Sequence, residues 1–273
     1  IMNFVNLAHG AFYMMGAYFA ATAYQTSGSF ILAILAGAGG ALLLGLLVER
    51  LGVFTLYERD HLDQVLATFG LILFFNDMAR WIWGAAPYPM SAPEVLSGTI
   101  NLFGVLVPVY RVLIIAVGLV VAAGAWFLMH KTRFGMLIRA GASNRTMVGV
   151  LGVNIAFLNM LVFALGASLA GLAGLMVGPI ISVQPGMGDP ILILTLVVII
   201  IGGVGSVRGA FLAALIIGVI DTIGRIFLPM FLLTFLERTL AQAAGPPISS
   251  MLIYLVMAGV LAFRPQGLFP VKT

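Results

Sequence analysis

Asn3, Asn6 and His9 place two amides and an imidazole within seven residues of an otherwise apolar opening. Such groups are expensive in hydrocarbon, so they must either bond one another between helices or line a wet path. Gly10 and Gly16 beside them permit bending or close backbone approach. No carboxylate lies near His9 in sequence, so it forms no general-base pair there. A second cluster runs from Gly202 through Gly203, Gly205 and Ser206 to Gly209, four glycines in eight residues. Each glycine costs a helix ~1 kcal/mol relative to Ala, which predicts a break. At membrane depth a break is tolerated only where protein or water satisfies the freed backbone groups. The cluster lacks the Lys-Ser/Thr ending of a phosphate-binding loop, and no such loop occurs elsewhere in the chain. His9-Gly10-Ala11-Phe12 is echoed by Arg208-Gly209-Ala210-Phe211, four residues that coincidence explains better than an internal repeat.

The third feature is basic and amphipathic. The segment 131–154 carries Lys131, Arg133, Arg139 and Arg145. Ser143 or Asn144 is placed to cap a short helix over 145–151, with Gly152 to close it. That helix would present Met147, Val150 and Leu151, with Gly149 among them, to a groove on a soluble partner. The alternative is a basic loop lying on anionic lipid. Asp221 and Arg225 stand four apart, and Asp77 and Arg80 three apart; both spacings favour mutual neutralisation over ion coupling. Asp189 falls in an expected outer loop, 184–190, where solvent receives it. With no Cys, no His-Glu-x-x-His and no paired acids, the sequence offers no enzyme centre.

The elements that hold these residues follow from composition. Among 273 residues, 62% are hydrophobic and only 22, or 8%, are Asp, Glu, Lys or Arg. Soluble domains carry about a quarter charged residues, so a soluble fold is excluded. Mean hydropathy is +1.16. Apolar runs of about 20 residues recur along the whole chain, which predicts an all-α, polytopic helical membrane protein forming one domain over 1–273. About eight transmembrane or half-spanning helices are expected, near 5–24, 29–48, 64–83, 109–130, 154–178, 190–203, 208–227 and 248–264. Pro246 and Pro247 are expected before the last of them, and no strand is expected. Gly37, Ala41 and Gly45, and likewise Ala170, Gly174 and Gly178, make small-residue stripes for helix packing.

Alternating the helices with 131–150 inside places nine of the 13 basic residues on that side. The bias predicts a cytoplasmic C-terminus, with Trp81, Trp83 and Tyr88 at the outer interface. Basic residues spread this thinly make no nucleic-acid patch. Because the sequence opens on Ile1 inside apolar sequence, upstream material is expected.

Several segments in order carry a resemblance: Asn6-Leu7-Ala8-His9-Gly10 with Gly16-Ala17-Tyr18, Leu66-Ala67-Thr68-Phe69-Gly70-Leu71, Arg139 to Asn154, and Gly202 to Ala210. Together they resemble the permease subunits of branched-chain amino-acid ABC importers, the LivH type more than the LivM type. The resemblance implies a non-enzymatic subunit of the bacterial inner membrane that pairs with a second permease, a like or unlike copy. It also implies two cytoplasmic P-loop ATPase subunits, which would hold ATP and Mg, and a soluble periplasmic binding protein. No cofactor is expected in this chain. By carry-over, Arg139 to Gly152 would dock the ATPase, and Asn6, His9, Thr68 and the Gly202–Gly209 break would line the pathway. Two departures stand out. The family usually has another apolar helix before the Asn-x-Ala-His-Gly stretch, and Leu194 replaces a Lys often found before the Gly-Gly pair. Related permeases carry urea or short amides, so these remain alternative substrates; a stand-alone ion-coupled carrier is the alternative mechanism.

Overall fold

The computed structural model describes residues 6–57, 59–102, 104–235 and 237–269, so Asn3 lies outside the described residues. The first helices are α1 (His9–Ser27), α2 (Phe30–Val48) and, after a π turn at Glu49–Val53, the short α3 (Phe54–Leu56). Then come α4 (His61–Trp83), α5 (Val109–Lys131), α6 (Arg133–Ser143) and α7 (Arg145–Val150). The last are α8 (Ile155–Ile181), α9 (Gly188–Gly202), α10 (Val207–Leu232) and α11 (Arg238–Phe263). Each of the eight expected helices is present, as α1, α2, α4, α5, α8, α9, α10 and α11.

Among the described residues, six helical stretches are long and apolar enough to cross a membrane: Phe30–Leu56, α4, α5, α8, α10 and α11. The protein is therefore a multi-pass membrane protein. At 15 residues α9 rises only ~22 Å, short of the ~30 Å hydrocarbon core.

Two expectations are corrected. Pro246 and Pro247 lie inside α11 rather than ahead of it. Proline inside a helix forfeits a backbone bond and crowds the preceding turn. Here Gly245 leaves room for Pro229 of α10, so the prolines sit at a helix crossing: a Cβ on Gly245 would lie 3.0 Å from the Pro229 Cδ. Strands also occur. β1 (Thr99–Leu102) and β2 (Val105–Pro108) pair antiparallel in the connection between α4 and α5, with Thr99 opposite Pro108. Gly104 turns the hairpin at φ 88°. A four-residue alternation is too short to stand out beside helical apolar runs.

The chain divides into two compact units, Ile1–Leu192 and Ile193–Thr273. In the first, α1, α2 and α8 cross one another through small residues. Gly37, Ala41 and Gly45 are all buried, as expected. A Cβ on Gly37 would meet the Gly16 carbonyl oxygen at 2.9 Å, and one on Gly45 would meet Ala167 Cβ at 2.6 Å. On α8, Gly174 and Gly178 are buried but Ala170 is only partly so; Ala167 and Gly171 take the crossing instead. In lipid, close packing of this kind replaces the hydrophobic drive as the source of helix association. α4 packs against α1 and sets Phe75 beside Phe12.

Loops of this unit sort by end. At one end Trp83 donates to Thr22, Gln25 donates to the Pro89 carbonyl, and Tyr88 pairs with Val183. In the second unit α10 and α11 pack together, and Ile201, Ala213, Ile217 and Ile253 form its buried core.

Candidate functional site

α1 begins deep in the first unit rather than at its edge. Asn6 starts it: its Oδ1 accepts from the Ala8 N–H at 2.8 Å, while its Nδ2 is buried without a partner. The His9 ring bonds to the Asn6 backbone and lies against Phe12 and Phe163, with centroids 6.1 and 5.9 Å away. Its Nε2 stands 2.8 Å from where a Gly166 Cβ would lie. Phe163 and Gly166 are well inside the 27-residue α8. One residue on, Gly10 meets the start of α9, since its Cβ would lie 2.8 Å from the Gly188 carbonyl oxygen. Two helices therefore start side by side within the bundle, which explains why α9 is short.

The segment that leads into α9 is irregular and partly buried. Ser182 and Gly186 have positive φ, 66° and 82°. The Gly186 N–H donates to Asn76 Oδ1 at 3.0 Å, and Val183 and Met187 are buried. Irregular backbone at such depth survives because side chains satisfy it. Asp189 lies in the first turn of α9 rather than in a loop, where its negative charge suits the helix dipole.

Thr68 is fully buried on α4, but its hydroxyl donates to Gln64 and Val65 carbonyls of its own helix. The glycine cluster breaks the chain as expected: α9 stops at Gly202 and α10 starts at Val207. Gly203 and Gly205 have φ 97° and 87°, a region that favours glycine. Ser206 caps α10 by accepting from the Gly209 N–H at 3.0 Å. The freed Ile201 and Gly202 carbonyls accept from the Leu268 and Phe269 N–H groups. Asn6, His9 and Thr68 belong to the first unit, and Gly203, Gly205 and Ser206 to the second.

The basic segment folds as its spacing predicts. Thr132 caps α6 and also donates to the Leu128 carbonyl at 2.6 Å, stiffening the elbow after α5. At that elbow Gly135 is required, because a Cβ there would strike the Met129 backbone. Asn144, not Ser143, caps α7 by accepting from the Met147 N–H at 2.9 Å, and Gly152 closes the turn at φ 83°. Val148 is buried beneath, whereas Met147, Val150 and Leu151 are 58, 79 and 75% exposed. Arg133, Arg139 and Gly149 are exposed too, and Arg145 is half-buried.

Residues 1–261 match the branched-chain amino acid transport system / permease component. The chain belongs to that family. The permease is 26% identical to the high-affinity branched-chain amino acid transport permease BraD of Pseudomonas aeruginosa, over 98% of this chain and 86% of that protein. It is 26% identical to LivH of Salmonella typhimurium, over 84% of this chain and 78% of that protein. A probable branched-chain amino acid permease of Methanocaldococcus jannaschii is 24% identical over 97% of this chain and 83% of its own. No solved structure matches the permease.

Sequence reasoning missed four polar residues of the permease: Glu49, Gln64 and Asn159, all buried, and the half-buried Asn76. Gln64 donates to the Leu56 and Arg59 carbonyls and ties the turn before α4 to that helix. Asn159 is 4% exposed, and its Oδ1 has no partner. Only Asn159 stands between apolar neighbours, Leu158 and Met160, and that isolation was its signal; Glu49, Gln64 and Asn76 stand beside the charges of Arg50, Asp63 and Asp77, which masks them.

Proposed function

We propose that this permease is the membrane subunit of an ATP-driven importer of branched-chain amino acids. It works in the inner membrane with a second permease, two cytoplasmic P-loop ATPase subunits and a soluble binding protein. The observation that carries this reading is α7: a capped helix holding Met147, Val150 and Leu151 outward beside Arg139 and Arg145. Apolar side chains held out on a short rigid helix suit a groove on a partner better than solvent. The segment 131–152 lies inside, and the C-terminus with it. ATP and its Mg belong to the partner, since the sequence holds no phosphate-binding loop. Branched-chain substrates are supported by the names of the relatives. Within the first unit, substrate passes the start of α1, where Asn6 and His9 supply the polar groups of an apolar bundle. The Gly203–Gly205 break lets α9 and α10 change angle.

An ion-coupled carrier needs an acid at liberty to take up the ion. Asp221 instead holds Arg225 at 2.8 Å, and Asp77 holds Arg80 at 3.1 Å. The test is co-purification with the partner subunits, then uptake of leucine, isoleucine, valine, urea and acetamide into vesicles. ATP-dependent uptake of the branched-chain set is expected. Arg139→Glu and Gly149→Trp uncouple ATP hydrolysis from that uptake while still inserting. Unchanged coupling in both, or uptake driven by an ion gradient without ATP, sinks the proposal.

A further inference from the structure

α10 carries two charges where lipid would strand them. Asp221 and Arg225 are the only charges between Arg208 and Glu237, and the stretches 209–220 and 226–236 on either side of them are uncharged. The Arg225 Nε donates to both Asp221 carboxylate oxygens, at 2.9 and 2.8 Å. That contact draws the guanidinium back toward the middle of the helix, away from its nearer end. Its two Nη nitrogens have no partner among the described residues, and the side chain is 52% exposed. Charged groups at membrane depth face protein or a water-filled cavity, since hydrocarbon offers a guanidinium no acceptor.

α11 does not supply the acceptor. It lies on the flank of Gly224, where a Cβ would stand 3.1 Å from Ser249 Cβ. The Ser249 hydroxyl donates to the Asp221 carbonyl and leaves both charges alone. At about 100° per residue, Asp221 and Arg225 share the next flank of α10 with Ala214, Gly218 and Thr222. Asp221 is half-buried and the other four are exposed. The Thr222 hydroxyl donates to the Gly218 carbonyl of its own helix at 2.8 Å, so it is already satisfied.

Gly218 is the telling position. Glycine inside a helix costs ~1 kcal/mol relative to Ala, so it needs a reason to be there. A Cβ on Gly218 would meet nothing within 4 Å, so no neighbour in the second unit requires its smallness. Small residues at four-residue spacing let membrane helices bring their backbones close. The flank therefore combines a surface shaped for a helix with a guanidinium that lacks acceptors. We propose that it is where the second permease docks. The docking helix would set small residues against Ala214, Gly218 and Thr222, and a carboxylate or amide oxygen against the Arg225 guanidinium. This rests on the reading of the chain as one of two permeases in an importer.

The test uses the whole importer, co-expressed with the second permease and the ATPase subunits. A diazirine analogue of leucine replaces Ala214 or Thr222, and mass spectrometry identifies what light attaches to it. Ile223, 51% exposed and almost opposite Arg225 on the helix, is the control. The second permease should be captured from Ala214 and Thr222, and lipid from Ile223. Capture of this same chain or of lipid alone at both test positions, or capture of the second permease equally from Ile223, overturns the proposal. A second measurement exchanges the charges, Asp221→Arg with Arg225→Asp, which keeps an ion pair on α10 but moves the guanidinium one turn. Recovery of the second permease with the inserted chain should fall about tenfold. Unchanged recovery means the pair serves only its own neutralisation, and the proposal is wrong. The importer reading fails separately: no second permease would then co-purify with the parent chain, and this proposal would fall with it.

Discussion

Gly16 of α1 and Gly171 of α8 lie backbone against backbone: a Cβ on Gly16 would come within 2.8 Å of both the carbonyl carbon and the carbonyl oxygen of Gly171. Neither neighbour is the end of a flexible side chain that could swing away. Gly16→Val should therefore destabilise the permease by ~2 kcal/mol or more, through forced separation of the helices. Gly39, which faces open space, is the control, and Gly39→Ala should be neutral or slightly stabilising. Thermal unfolding in detergent distinguishes the two; equal melting temperatures would refute the crossing.

Asn144 holds the first turn of α7 through the Met147 N–H. Asn144→Ala should cost that helix ~1 kcal/mol, and Asn144→Asp should restore most of it. Hydrogen exchange at the Met147 and Val148 amides reads the effect directly. Faster exchange in the Ala variant but not in the Asp variant is expected. If α7 also docks the ATPase, co-purification weakens in the same order.

How much of this was legible in the sequence depends on what each residue's environment writes into its neighbours. The α7 cap was visible because Asn144 and Gly152 bracket it with turn chemistry that acts locally. The α9–α10 break was visible because glycine weakens any helix. Burial of Glu49 was not visible. It stands at the border between an apolar run and the Arg50 and Arg59 charges, which reads as a loop, and only the π turn directs it inward. The start of α9 beside Gly10 was equally hidden, since a contact between residues 10 and 188 leaves no periodic trace. Thr68 shows the opposite limit. Its place in a family motif marks it as notable, yet its hydroxyl proton goes to its own helix.

The Gly186 N–H is held by Asn76, which reaches it from α4. Asn76→Leu keeps bulk but leaves that donor only the weak Met14 Sδ acceptor at 3.4 Å, in a segment with two positive-φ residues. A lost buried hydrogen bond costs ~1–3 kcal/mol. Exchange of the Gly186 and Met187 amides should accelerate, while amides in α10 remain unchanged. Protection equal to that of the parent chain would show that backbone packing alone holds the segment.

His9 and Gly166 allow packing to be separated from transport. Gly166→Ala drives a methyl to 2.8 Å from His9 Nε2, so the ring must leave its place between Phe12 and Phe163. The expected cost is ~1–3 kcal/mol of stability. Removing the ring in the same chain, with His9→Ala, should return most of that loss, because the methyl then fills space the imidazole has left. Stability and uptake should part at this point. If His9 is a polar group of the pathway, the double variant melts near the parent yet imports leucine poorly, with the loss appearing in the maximal rate. If His9 only packs, restored stability brings restored uptake. Thermal unfolding and ATP-dependent uptake, measured on the same preparations, decide between them.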